Sequence, residues 1–222
     1  MYVIVDQYTI LDIEKNNYKM VIHTPIKERM EFNKIIAIDL DDTLNDFTET
    51  MRKTIFTYSH TSPLTKDIFD SYLNRVRSGI AEDSELLSTE FSFFQYQIHE
   101  QCYQLAKARE DGVEFMQWLK RSGWQVIICT RRDLRRAHDC TVKWLKDSDI
   151  PFDHLFMAGN KIVFCKLWGI EHLVDDAVFN IVYGEHYGVN VYYPLMEKHQ
   201  FLQGSSAKGF KVFNEVKQWI QS

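Results

Sequence analysis

Three carboxylates follow a short apolar segment in the first quarter of the chain, at Asp39, Asp41 and Asp42. The apolar residues before them, Ile35–Ile38, have the composition of a buried β-strand. Like charges crowded at a strand end cost free energy unless something compensates them, and a divalent cation is the obvious candidate. Because Asp39 and Asp41 are two residues apart, an extended backbone turns both to the same side. One carboxylate could then attack a substrate while the other moves a proton, although an acidic turn that caps the next helix would also explain one or two of them.

Polar residues also end two later apolar segments. Thr130 follows residues 126–129, and the pair Asp175 and Asp176 follows residues 172–174. A single threonine after an apolar strand is often no more than a strand end, and an acidic pair there can cap the next helix. These residues gain weight only if the fold brings them to the first acidic cluster.

The elements that must position these residues alternate in type. The strand candidates are short apolar segments: 35–38, 126–129, 155–157, 173–174 and 189–192. The helix candidates are amphipathic segments: 112–121, 133–146, 162–168, 178–187 and 213–220. This alternation predicts an α/β fold, a Rossmann-like parallel sheet with helices on both faces. Ligands of such sheets bind beyond the carboxyl ends of the strands, where the strand order reverses.

The N-terminal segment does not follow this alternation. Residues 2–13 and 18–24 are β-prone on either side of a polar stretch at 15–17, which predicts a β-hairpin. We assign residues 1–34 to an N-terminal hairpin extension.

A second exception follows the first core strand. Residues 47–110 have helical periodicity and few strand signals, which predicts a small helical cap inserted over the strand ends. The core domain is then formed by residues 35–46 and 111–222. An aromatic cluster in the cap would either stack on a substrate or form the cap's own core, and it consists of Phe91, Phe93, Phe94 and Tyr96.

Composition excludes several classes of protein. With 26 Lys and Arg against 31 Asp and Glu, the 222-residue chain has a net charge of −5, which argues against a polynucleotide partner held by bulk charge. No apolar run approaches the roughly 18–20 residues that cross a bilayer. The four cysteines form no Cys-x-x-Cys pair, and the N-terminus does not resemble a signal peptide. We therefore expect a soluble, cytoplasmic protein with reduced thiols and no membrane partner.

In combination, the motifs resemble those of the haloacid dehalogenase (HAD) superfamily of aspartate-nucleophile phosphatases. Residues 39–44, Asp-Leu-Asp-Asp-Thr-Leu, resemble the first motif, Asp-x-Asp-x-Thr-Leu/Val, with Asp42 where the family often has glycine. Thr130 resembles the second motif, and the pair Asp175 and Asp176 resembles the fourth. The resemblance spans residues 35–176 and implies a HAD-like core.

The third motif of this family is a lysine, for which the chain offers two candidates. Lys161 begins a short apolar helix that leads to the acidic strand, and we favour it. Lys143, on the previous helix, is the competitor, because some relatives place their lysine there.

The resemblance implies phosphoryl transfer through an aspartyl-phosphate. Asp39 would attack phosphorus, and Asp41 would act as general acid and then as general base. Thr130, Arg131 and Lys161 are the predicted phosphate-binding residues. The implied cofactor is Mg²⁺, which prefers oxygen ligands. Its predicted ligands are the carboxylates of Asp39 and Asp175 and the backbone carbonyl of Asp41. Asp176 is the alternate ligand or a neighbour that orients Asp175.

A finer resemblance concerns the substrate. Residues 144–156 and 213–220 are similar to segments of the 5'(3')-deoxyribonucleotidase group, although Arg131 and Arg132 replace that group's Ser/Thr-Arg-Pro. The predicted substrate is a nucleoside monophosphate, with another small phosphate ester as the alternative. A regulatory module that binds phosphate without turnover is the non-enzymatic alternative, but such a module would not need Asp41.

Overall fold

A computed structural model describes residues 2–6, 9–12, 34–59, 98–157, 159–202 and 206–221. The strands are β1 Tyr2–Asp6, β2 Thr9–Asp12, β3 Ile35–Ile38, β4 Gln125–Thr130, β5 His154–Met157, β6 His172–Val174, β7 Asn190–Pro194 and β8 Lys208–Phe210. The helices are α1 Phe47–Ser59, α2 His99–Leu105, α3 Glu110–Arg121, α4 Leu134–Asp147, α5 Lys161–Trp168, α6 Val178–His186 and α7 Phe213–Gln221, with a 3₁₀ turn at Glu197–His199.

Six strands form one parallel sheet in the order β5-β4-β3-β6-β7-β8. The first core strand, β3, lies in the centre, and the chain adds strands first on its β4 side and then on its β6 side. The strand order therefore reverses at β3, which is where sheets of this class bind ligands.

Helices cover both faces of this sheet. Ile36 and Ile38 of β3 belong to one buried cluster with side chains of α3, α4 and α7, while Ala37 belongs to a second cluster with α5 and α6. This alternation follows from the strand repeat of two residues. It confirms the predicted α/β architecture with helices on both faces.

The predicted core elements agree with the structure to within two residues at each end. Strand β8 was not predicted, because three residues that include Gly209 give no recognisable period. The N-terminal hairpin prediction is wrong in the position of its turn. Residues 2–13 do not form one strand, since β1 and β2 pair antiparallel within this segment. The other predicted strand, 18–24, lies outside the described residues.

The predicted cap is described at its two ends, where α1 and α2 are both helical. The ring centroids of Phe47 in α1 and Tyr103 in α2 are 5.2 Å apart, so the two helices contact each other. The aromatic cluster at 91–96 lies outside the described residues. The four cysteines are free thiols, and no helix of the described ranges is long and apolar enough to cross a membrane.

Candidate active site

The carboxyl ends of β3, β4 and β6 bring the predicted residues together. The backbone N–H of Asp39 donates to the carbonyl oxygen of Val174 (2.9 Å), which joins the ends of β3 and β6. Asp39 and Asp175 each follow their strand directly, and Thr130 ends β4. The position of these residues in the chain, immediately after buried strands, is what makes their side chains converge.

Lys161 lies between two of these carboxylates. Its Nζ is 2.8 Å from Oδ1 of Asp39 and 2.7 Å from Oδ2 of Asp175. The side chains of Lys161, Asp39 and Asp175 are 2%, 7% and 0% exposed. Helix α5 begins at Lys161 because Asn160 caps it, accepting a hydrogen bond from the N–H of Val163 (3.0 Å). The helix start thus fixes the lysine against the sheet.

Asp176 completes a group of three buried carboxylates with Asp39 and Asp175. Each offers one oxygen, and these oxygens lie within 4.8 Å of one another. Hard oxygen ligands at this spacing suit Mg²⁺, so the donor set fits the cofactor that the sequence implies. The Asp41 carboxylate is not part of this group, and its predicted contribution through a backbone carbonyl remains a prediction.

The charges at this group are strongly coupled. Burial raises the pKa of Asp39 well above its usual value, Lys161 opposes this shift, and Asp175 and Asp176 add to it. Burial also acts to raise the pKa of Asp176, but Lys198, Lys161 and a hydrogen bond with Asp39 together lower that pKa. A further positive charge beside Asp39 would favour its ionised form, and a divalent cation supplies one.

Lys198 reaches this group from the 3₁₀ turn after β7. Its Nζ contacts Oδ2 of Asp176, and its side chain is 22% exposed. The neighbouring His199 has its two ring nitrogens 2.7 Å from the carbonyl oxygens of Pro194 and Asp176. These contacts hold the turn against the strand end. The sequence analysis missed Lys198, since no motif surrounds it.

Asp41 has a different partner from Asp39. Nε of Arg132 donates to Oδ2 of Asp41 (2.9 Å), Nη2 of Arg132 donates to Oδ1 (2.6 Å), and Nδ2 of Asn45 also donates to Oδ1 (3.2 Å). The Arg132 side chain is 1% exposed and that of Asp41 is 22% exposed. Burial opposes a charged Arg132, but Asp41, with smaller contributions from Tyr103 and Cys140, raises the pKa of the guanidinium.

Arg132 also connects Asp41 to the returning end of the predicted cap. Its Cζ is 4.1 Å from the ring centroid of Tyr103, and its Nη1 donates to Oγ1 of Thr141 (3.0 Å). A guanidinium held over an aromatic ring gains a cation–π attraction. The second acidic residue is thus linked to α2, whereas the first is linked to the core.

The remaining predicted residues are placed as follows. Thr130 is buried at the end of β4, and its Oγ1 accepts a hydrogen bond from the N–H of Arg132 (3.4 Å). Arg131 is exposed, and its predicted contact with phosphate remains a prediction. Lys143 is exposed and pairs with Asp147 on its own helix, so the geometry favours Lys161 over this competitor.

Asp42 adopts a left-handed backbone conformation, with φ of 60°. This conformation explains why glycine is frequent at the corresponding position of the resembling motif. The Asp42 carboxylate accepts hydrogen bonds from the backbone N–H of Thr48 (2.7 Å) and from its hydroxyl. The helix-capping interpretation of the acidic cluster therefore holds for this one residue.

Arg132 is the main residue that the sequence reasoning missed. It lies two residues beyond the end of β4, in the same loop as Thr130, and this position was its only signal. The sequence groups it with Arg131, Arg135 and Arg136 as a charged helix start, which is usually solvated.

Comparison with known proteins gives similarity in structure alone. No protein-family model and no curated protein matches the sequence. A haloacid dehalogenase-like family hydrolase from Streptococcus pneumoniae superposes with a TM-score of 0.61 at 12% identity, covering 86% of this chain and 100% of that one. A HAD phosphatase from Thermococcus onnurineus superposes with a TM-score of 0.57 at 16% identity, covering 84% and 97%.

A third similar structure carries a metal. The protein YfnB from Bacillus subtilis, described as a HAD-hydrolase and solved bound to magnesium, superposes with a TM-score of 0.60 at 14% identity, covering 85% of this chain and 99% of that one. At such identities the likeness shows the fold. The chain has the α/β fold of the haloacid dehalogenase-like hydrolases and phosphatases.

Proposed function

We propose that this protein is a Mg²⁺-dependent phosphomonoesterase that hydrolyses small phosphate esters through a phosphorylated Asp39. The observation that carries the proposal is the convergence of Asp39, Asp175 and Lys161 at the carboxyl ends of the central strands, with Asp41 two residues further on. A buried nucleophile, a separate acid and a fixed cation are the groups that phosphoryl transfer requires.

Each step uses a group at a known position. A carboxylate oxygen of Asp39 bonds to phosphorus while the ester P–O bond breaks, and Asp41 gives its proton to the leaving oxygen. Asp41 then takes a proton from a water molecule, whose oxygen attacks the same phosphorus. The acyl phosphate breaks, and Asp39 is restored as inorganic phosphate leaves.

Two positive charges offset the charge of the phosphoryl group. Lys161 is held within hydrogen-bond distance of Asp39. It would stabilise the negative charge that develops on the phosphoryl oxygens in the transition state. Mg²⁺ held by Asp39, Asp175 and Asp176 would supply charge compensation between the nucleophile and the phosphate. Thr130 would bind a phosphoryl oxygen through its hydroxyl.

We propose nucleoside monophosphates as the substrate class, and the cytoplasm as the compartment. Support for this substrate comes from the sequence resemblance at residues 144–156 and 213–220. The four free thiols fit a reducing compartment.

The test is phosphate release from p-nitrophenyl phosphate and from a panel of ribo- and deoxyribonucleoside monophosphates, with and without Mg²⁺. We expect activity that requires Mg²⁺ and that Asp39→Asn lowers by about 10⁴-fold or more, since the nucleophile is lost. Activity on other phosphate esters but not on nucleotides would contradict the substrate class alone. Phosphate binding without turnover of any ester would contradict the phosphatase and favour the regulatory module.

A further inference from the structure

Arg132 is buried beside Asp41 and contacts several side chains, unlike an arginine on a solvated surface. Two of its N–H groups reach both oxygens of the Asp41 carboxylate, a third reaches Thr141, and its Cζ lies over the ring of Tyr103. A bidentate pair fixes the plane of a carboxylate as well as its position. The side chain of Arg132 is 1% exposed, so the guanidinium itself is shielded from water, whereas the Asp41 carboxylate is 22% exposed.

The two oxygens of Asp41 are not equivalent in this arrangement. Oδ1 accepts from both Nη2 of Arg132 and Nδ2 of Asn45, whereas Oδ2 accepts from Nε of Arg132 alone among the described residues. Asn45 is itself oriented, because its Oδ1 accepts from the N–H groups of Asp42 and Phe47 (both 3.1 Å). Each carboxylate oxygen has two lone pairs, so Oδ2 keeps one for a proton.

We propose that Arg132 is a positioning residue that orients Asp41 so that Oδ2 carries the proton to the leaving oxygen, and that Tyr103 holds Arg132 in place. The inference rests on the proposed function. It assigns a role to a residue two positions beyond Thr130, and it connects proton transfer to helix α2.

Comparing esters with different leaving groups distinguishes a residue that orients Asp41 from one that binds the phosphoryl group. When the leaving oxygen is a poor one, as in an alkyl phosphate, the ester bond breaks only with a proton from Asp41. p-Nitrophenolate leaves without that help. A residue that orients Asp41 therefore affects alkyl phosphates selectively, whereas a residue that binds the phosphoryl group affects both esters equally.

The experiment measures kcat/KM of the full chain with Mg²⁺ on p-nitrophenyl phosphate and on an alkyl phosphate. Arg132→Lys keeps the charge but cannot form the bidentate pair. We expect its loss to be about tenfold or more larger on the alkyl phosphate than on p-nitrophenyl phosphate, with KM little changed. Arg121→Lys makes the same change at an exposed helix end and should alter neither rate.

Tyr103 provides an independent test if Arg132→Lys does not fold. Tyr103→Leu removes the ring under the guanidinium and should show the same selective loss to a smaller degree, while Tyr103→Phe keeps the ring and should recover most of that loss. Equal losses on both esters would overturn the positioning role and leave the phosphatase standing. A wild type that turns over no ester would overturn the proposed function and this inference with it.

Discussion

Two of the acidic residues that follow β3, Asp39 and Asp41, lie in different surroundings although one residue separates them. Asp39 is buried against Asp175, at the end of β6, and Lys161, at the start of α5. Asp41 is partly exposed and pairs with Arg132, which rests on a ring of α2. The proposed nucleophile is thus held by buried residues of the core. The proposed general acid is held by residues next to the predicted cap.

The free energy of unfolding should depend more on Lys161, the cation beside Asp39, than on Arg132, the cation beside Asp41. Lys161→Met leaves the two buried carboxylates of Asp39 and Asp175 without the cation that they share, and we expect the free energy of unfolding to fall by about 3–5 kcal/mol without Mg²⁺. Urea unfolding measures this, and added Mg²⁺ should recover part of the loss. Lys143→Met is the control, because its exposed pair with Asp147 contributes little. An unchanged unfolding midpoint in Lys161→Met would show that the two carboxylates tolerate each other.

Removing Arg132, which lies beside Asp41 and next to the predicted cap, should lower the free energy of unfolding by less. Arg132→Met leaves one carboxylate that water still reaches, so we expect a loss of about 2–3 kcal/mol in the same urea experiment. In the double variant with Asp41→Asn the loss should be smaller than the sum of the two single losses. A loss equal to that of Lys161→Met would remove the distinction between the two sides.

The pKa of His99 depends on how far water is excluded around Asp41 and Arg132, next to the predicted cap. Burial is the main cause that lowers the pKa of His99 to about 4, with Arg132 lowering it further and Asp41 opposing. The unfolded chain takes up this proton near pH 6.5, so stability is full above that pH and falls progressively towards pH 4.

The expected loss from His99 is about 1–2 kcal/mol at pH 5 relative to pH 7. Unfolding free energies of wild type and His99→Gln at the two pH values measure it, and the variant should lack this part of the acid sensitivity. If His99→Gln keeps the full acid sensitivity of wild type, the surroundings of His99 contain more water than its contacts with Phe47 and Tyr103 indicate.

The smallest expected effect concerns the metal. Lys198 contacts Asp176, one of the three proposed ligands, and therefore competes with Mg²⁺ for it. Lys198→Met should tighten Mg²⁺ binding by about fivefold, equivalent to about 1 kcal/mol, as measured by titration calorimetry. Lys146→Met, which removes an exposed charge on α4, should leave the affinity as it is. Weaker binding in Lys198→Met would mean that the lysine orients Asp176 for the metal.

The core elements could be predicted because their patterns are local. Buried strands such as Ile35–Ile38 are short apolar runs, and their order along the chain, alternating with helices, determines the parallel sheet. Residues that follow such strands directly, including Asp39 and Asp175, could be predicted to converge for the same reason. Strand β8 could not, since its three residues become a strand only by pairing with β7.

The partners of the acidic residues were harder to predict than the acids themselves. The pairing of Arg132 with Asp41 spans 91 residues, and nothing in the local sequence separates this arginine from its exposed neighbour Arg131. Lys198 reaches Asp176 from a turn whose position depends on how β7 ends. Such contacts between distant segments are decided by packing in three dimensions.

The side chain of Asp42 limits how α1 can move relative to the end of β3. The same residue sets the sharp backbone bend after β3 and anchors the start of α1 through Thr48. Swinging α1 outward about this bend would break the two contacts to Thr48. A glycine at position 42 would retain the bend but remove these contacts, and the start of α1 would then be held by Asn45 through the N–H of Phe47.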